Sequence, residues 1–344
     1  SDEASATKDW PTMTDGHREP RRFVGLAGFL VIALNLAGCT GLALKTSDLA
    51  RFDIGPAASM ASLSLGKPII STIQDGRRIV RGGDGVIWVL ESGVGIVSKW
   101  SEAGENLGQF GTRGMENDQF VDPLDIDVAT GMFVSVADAS GRILRFSRDG
   151  AFAGSITLPN TWKSNEAPSN NFNDWTSPRA LVASDVIPSA IAETEDGRLA
   201  VLDATSGSIM LSDRVFERFD LFAQLEGDPE TNTSVLATGE GVIVLMEPAL
   251  DLIRLFNNSG RETEQWTVSL QGVRAVQVAY DSVWLLFPSR VLRLSRDGLV
   301  TDFKPPSSSA YEFKQSGDWM DFSPGRNGMW LLTKTEVSWI EYGL

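Results

Sequence analysis

The sequence holds one cysteine, Cys39, and one histidine, His17, in 344 residues. A single thiol excludes an intrachain disulfide. Both residues precede what reads as the folded region. Everything after Cys39 therefore lacks the side chains that build the common zinc sites, Cys–His nucleophiles and Ser–His–Asp triads. Basic charge is scarce as well: 30 Lys and Arg stand against 45 Asp and Glu, a net charge of −15. Nucleic-acid binding needs clustered Lys and Arg to displace counterions, and the sequence shows no basic stripe. The apolar run from Phe23 to about Leu36 is too short for a comfortable membrane span. What the chain does have is a 42% hydrophobic fraction, enough for a core and against disorder.

That apolar run follows Arg21-Arg22 and ends in Leu36-Ala37-Gly38-Cys39. Its length suits a signal-peptide core. The ending resembles the lipobox of bacterial lipoproteins. The resemblance implies removal of residues 1–38 as a signal peptide and a diacylglycerol on Cys39. Thr40, rather than Asp, after the cysteine implies passage to the outer membrane, facing the periplasm. Met13 is a candidate true start, which would leave residues 1–12 upstream. Residues 39–48 then form a tether, and residues 49–344 the folded domain.

Within that domain one hairpin pattern recurs, an apolar strand, a short polar turn and a second strand. The repeats begin at Ile87, Phe133, Leu199, Val242, Val283 and Met329, at intervals of 46, 66, 43, 41 and 46 residues. Most have a further short strand upstream and another downstream. Four strands per repeat at this spacing predict a propeller, because each blade exposes two apolar faces that only stacked neighbours bury. The expected fold is an all-β, six-bladed β-propeller with four-stranded antiparallel blades. The last repeat runs out at Leu344, so the alternating segment from Leu49 is expected to supply its missing outer strand and close the ring. The alternative is that this segment is an unstructured tether.

The segment Leu107 to Gly150 resembles an NHL repeat. Phe110, Gly111, Gly114, Gln119-Phe120, Pro123, Ala137-Asp138, Arg142-Ile143 and Phe146 all fit that family's pattern. The other repeats keep only the strand skeleton, with Asp203 matching the turn Asp. The resemblance implies an NHL/TolB-like propeller and names no function, since such folds host lyases, lactonases and scaffolds alike.

The hairpin turns place Glu91, Asp138, Asp203, Glu247, Arg290 and Lys334 on one rim of the expected channel. The long interval adds an insertion at 159–188, polar yet carrying Trp162, Phe172 and Trp175. Aromatic side chains in a polar loop suit partner contact, because a flat ring buries much area at little entropy cost. Three functions are therefore weighed. The leading expectation is a non-enzymatic scaffold or accessory subunit holding an envelope protein through Trp162, Phe172 and Trp175, with Glu91, Glu247 and Arg290 tuning specificity. No cofactor is expected in that case. The second is a calcium-dependent, lactonase-like hydrolase with Asp125, Asp138 and Asp203 as oxygen ligands. The third is glycan or peptidoglycan binding through the same aromatic loop.

Overall fold

The computed structural model describes residues 50–54, 59–128, 133–158, 186–225, 235–304 and 319–343. Cys39, His17, Trp162, Phe172 and Trp175 lie outside the described residues. Two strands come first, β1 (Ala50–Asp53) and β2 (Ser59–Ile70). Four antiparallel units follow. They are β3 (Gly76–Arg81), β4 (Ile87–Glu91), β5 (Ile96–Trp100) and β6 (Asn106–Phe110); β7 (Pro123–Val128), β8 (Phe133–Asp138), β9 (Arg142–Ser147) and β10 (Phe152–Thr157); β11 (Pro188–Glu193), β12 (Leu199–Asp203), β13 (Ser208–Ser212) and β14 (Phe219–Gln224); and β15 (Leu236–Gly239), β16 (Val242–Glu247), β17 (Leu252–Asn257) and β18 (Glu262–Thr267). The remainder are β19 (Ala275–Ala279), β20 (Ser282–Phe287), β21 (Arg290–Ser295), β22 (Val300–Lys304), β23 (Asp321–Pro324), β24 (Gly328–Leu332) and β25 (Val337–Gly343).

The second strand of each unit is an almost unbroken apolar run. Ile87–Glu91 and Val242–Glu247 are buried along their whole length. Such a strand is paired on both edges and covered on both faces, so alternation gives way to continuous Val, Ile and Leu. The third and fourth strands meet in tight turns. Gly150 takes φ +93° after Arg148-Asp149, and its N–H donates to the Ser147 carbonyl at 2.9 Å. Between the first two units the core is aromatic, with Phe110 and Phe120 flanking Phe146 at centroid distances of 4.5 and 5.6 Å.

The expected six-bladed NHL/TolB-like ring of equal blades, closed by the strand from Leu49, requires correction. Among the described residues four units stand as separate propeller blades, and all the remaining strands except β1 merge into one eight-stranded sheet, β19-β20-β21-β22-β2-β25-β24-β23. The cause is β2. Its first half runs parallel to β22, pairing Ser59 with Thr301, and it then runs antiparallel to β25, pairing Leu63 with Tyr342. Hydrogen-bonded on both sides, it fuses the outer strands of the last two hairpin repeats. The fused sheet is nearly closed, since its edge strands β19 and β23 touch each other. These edges also contact β15 and β3, so the sheets' first strands meet in the cyclic order β3, β7, β11, β15, β19, β23. The segment from Leu49 has a different place from the one expected: β1 adds to the fourth blade, parallel to β18.

Candidate active site

Each of the six hairpin-turn residues has a partner in its own turn or on a neighbouring segment. Asp138 accepts from Asp122 N–H at 2.8 Å and is paired with Arg142 at 3.3 Å. Asp203 accepts from Ile187 N–H, Thr205 N–H and the Ser206 hydroxyl at 3.1, 3.0 and 2.6 Å. Glu91 accepts from Gln74 N–H at 2.7 Å, and Glu247 pairs with Arg254 at 3.1 Å. Arg290 lies 3.4 Å from Asp302, and Lys334 lies 3.8 Å from Asp75. Glu91, Asp138, Asp203 and Glu247 are all buried and partnered, the two Asp side chains through the loop N–H groups that such short polar residues satisfy.

A different set of polar residues lines up on the first strands. Arg78 is opposite Leu90, Asp125 opposite Ala137 and Asp321 opposite Leu332, which is the same register position in three sheets. Ala190 and Ala275 hold that position elsewhere, opposite Leu202 and Leu286. One arc of the ring is therefore Asp–Arg–Asp and another is small and apolar. Asp321 Oδ2 accepts the Ile79 N–H at 3.0 Å, Arg78 Nε meets Asp125 Oδ1 at 3.2 Å, and Asp125 Oδ2 accepts the Ile191 N–H at 2.8 Å. The inner edge of a blade presents backbone N–H groups with no strand to take them, and these carboxylates satisfy them across neighbouring sheets.

Two residues further along β7, Asp127 extends the row. Its Oδ2 accepts the Glu193 N–H, and its Oδ1 accepts the Val128 N–H at 2.8 Å. Glu193 pairs with Arg145 at 3.3 Å, whose guanidinium is held between the Phe133 and Phe216 rings at 4.5 and 4.7 Å. Burial raises the pKa of Asp127 to about 7, with the like charges of Glu193 and Asp125 adding to the shift. Burial likewise lifts Asp321 to about 7; Arg78 opposes the shift and Asp125 adds to it. Burial also raises Asp125 and Glu193, against the pull of Arg78 and Arg145 respectively. Asp321 is 1% exposed, and its Oδ1 has no hydrogen-bond partner among the described residues. As a whole residue Asp127 is less buried than Asp125 and Asp321.

Asp125, Asp138 and Asp203, the residues expected as calcium ligands, sit in separate hydrogen-bond sets. Each is tied to the partners given above, and among the described residues no group of three Asp, Glu, His or Cys is placed to hold a metal ion. Sequence reasoning found Asp125 but missed Arg78, Asp127 and Asp321. The available signal for Arg78 and Asp321 was a charged residue recurring at the register position that Asp125 holds in its own first strand.

Near the turns that follow β19 and β23 lies a cavity of about 600 Å³ lined by Arg81, Glu102, Tyr280, Arg326, Trp330 and Trp339, among others. Arg81 pairs with Glu102 at 2.7 Å and sits 5.6 Å from the Trp330 ring. Trp330 packs on Trp339 at a centroid distance of 4.3 Å, and its buried Nε1–H has no acceptor among the described residues.

No protein-family model matches the chain, and none of the curated proteins matches it. Solved structures do match. A gluconolactonase from Xanthomonas campestris aligns over 80% of this chain and 88% of its own, with TM-score 0.56 and 11% identity. A streptogramin B lyase aligns over 82% and 97%, with TM-score 0.54 and 13% identity. A catalytically inactive His-to-Ala form of virginiamycin B lyase from Staphylococcus aureus, with quinupristin, aligns over 79% and 82%, with TM-score 0.50 and 14% identity. At these identities the likeness is one of fold. It nonetheless corrects the expectation of a non-enzymatic scaffold, because the same fold carries catalysis in those proteins. Among the described residues no helix is long and apolar enough to cross a membrane.

Proposed function

We propose that the chain is an enzyme that opens a cyclic ester by carboxylate acid–base catalysis, with Asp127 as the base. The observation that supports this reading is the placement of Asp127 on the first-strand row beside Asp125 and Glu193, less buried as a residue than Asp125 and titrating near neutrality. A general base works best when its pKa lies near the working pH. Asp127 takes a proton from water, the water oxygen adds to the ester carbonyl, and the ring C–O bond breaks. The same proton then passes to the departing oxygen, leaving a hydroxy acid. The substrate class follows the lactonase among the similar folds, and the His-to-Ala lyase points away from a copied mechanism, since this chain's one histidine is His17.

The test is a panel of aldonolactones followed by pH-stat titration. Ring opening by the native chain, reduced roughly 10²-fold or more in Asp127→Asn with an unchanged melting temperature, is the expected result. Activity that survives Asp127→Asn, or no opening of any lactone, overturns the reading. For cellular address we infer that Cys39 carries the lipid and holds the enzyme on the outer membrane, facing the periplasm. The lipobox-like Leu36-Ala37-Gly38-Cys39 supports this. Cys39→Ala should move the protein from the membrane to the soluble fraction.

A further inference from the structure

A second concavity, which shares no lining residue with the carboxylate row, lies where the turns of the third and fourth blades meet. Its volume is about 810 Å³, and its lining includes Arg198, Arg214, Arg218, Arg261, Asp213 and Phe222. Arg198 comes from the turn between β11 and β12, Arg214 and Arg218 from the loop between β13 and β14, and Arg261 from the turn between β17 and β18. Three chain segments from two sheets thus bring four guanidinium groups to one cleft, in a protein of net charge −15.

Three carboxylates, Asp196, Asp213 and Asp220, offset them only in part. Asp196 serves both Arg198 and Arg214, at 3.3 and 3.2 Å. Asp213 is engaged in its own turn, its Oδ1 accepting the Val215 and Glu217 N–H groups at 3.2 and 2.9 Å. Arg218 meets Asp220 at 3.1 Å, but the two are 68% and 69% exposed, so solvent screens that pair to little value. Arg261 is exposed and has no carboxylate partner among the described residues. Like charges brought this close repel one another unless an anion joins them. Guanidinium forks match phosphate oxygens in pairs, which is why arginine, more than lysine, builds such sites. Val215 in the same loop and Leu221 in the lining stand 58% and 61% exposed.

We propose that this cleft binds a phosphate-bearing ligand through Arg198, Arg214, Arg218 and Arg261, independently of the lactonase reading. The phosphate is either that of a free phosphate compound or that of an anionic lipid headgroup, and the experiment separates the two. The full chain and the Arg214→Gln/Arg261→Gln double variant are titrated calorimetrically with inorganic pyrophosphate. Both, with Cys39→Ala so that no acyl chain inserts, are also co-sedimented with vesicles of phosphatidylglycerol and phosphatidylcholine in equal parts, and with phosphatidylcholine alone. Arg296→Gln, an exposed arginine on another sheet, is the control for loss of charge in general. Pyrophosphate binding that weakens roughly tenfold or more in the double variant, and not in the control, supports a free phosphate ligand. Sedimentation with the phosphatidylglycerol vesicles alone, lost in the double variant, supports a headgroup. Binding to neither probe, or binding equal in the double variant and the native chain, overturns the proposal.

Discussion

Arg78 and Asp125 form a buried ion pair at 3.2 Å between the first and second blades, while the second oxygen of Asp125 holds the Ile191 N–H of the third. The pair is 3% and 6% exposed at its side chains, so neither charge can turn to water if the other is removed. Arg78→Met should therefore cost about 3–5 kcal/mol by leaving Asp125 uncompensated. Urea unfolding followed by tryptophan fluorescence measures it. A loss below about 1 kcal/mol would mean that water reaches Asp125.

The raised pKa values of Asp321 and Asp127 set the direction of the pH response. Both titrate at about 7 when folded, against 3.8 as the ordinary value. Between those limits the folded state binds more protons than the unfolded state, so these groups make stability fall as pH rises from about 4 to 7 and level off above. Their contribution is fully present at the acid end of that window. Asp321→Asn should flatten the slope, and melting temperatures taken between pH 5 and 8 would show it. An unchanged slope would mean that Asp321 is already ionised in the folded protein.

Gly111 takes φ +83°, and a Cβ there would lie 2.2 Å from the Phe120 ring. Phe120 is fully buried against Phe146, so it cannot swing aside into open space. Gly111→Ala combines a strained backbone with a clash in the seam between the first two blades, and should cost more than about 1 kcal/mol. Calorimetric melting of the variant checks this. A melting temperature equal to that of the native chain would show that the seam yields.

Much of the strand skeleton was legible because it follows from burial within one repeat. Ile87, Phe133, Leu199 and Val242 each open a second strand at the residue where the apolar run begins. The joining of the sheets was not legible in the same way. The strand that fuses them carries Gly66-Lys67-Pro68, and its register shifts on either side of Pro68. Proline and glycine weaken any reading of a strand. The segment from Leu49 has a cleaner alternation and drew the prediction, although it only adds an outer strand to the fourth blade. The acidic row was hidden for a different reason. Asp321 and Ile79 are 242 residues apart in the chain, and only a shared register position brings Asp321, Arg78 and Asp125 into one arc.

The two candidate closing strands give opposite expectations for truncation. Leu63, in β2, is fully buried with Trp284, Phe322 and Ile340 around it. Phe52, in β1, is 46% exposed. Leu63→Ala leaves a cavity in the fused sheet and should cost about 2–5 kcal/mol. Phe52→Ala removes contacts that water already shares and should stay within roughly 0.5 kcal/mol. Parallel denaturation of the two variants decides between the strands. If Phe52→Ala proved the more damaging, closure would rest on the segment from Leu49, and the eight-stranded sheet would not be what holds the ring together.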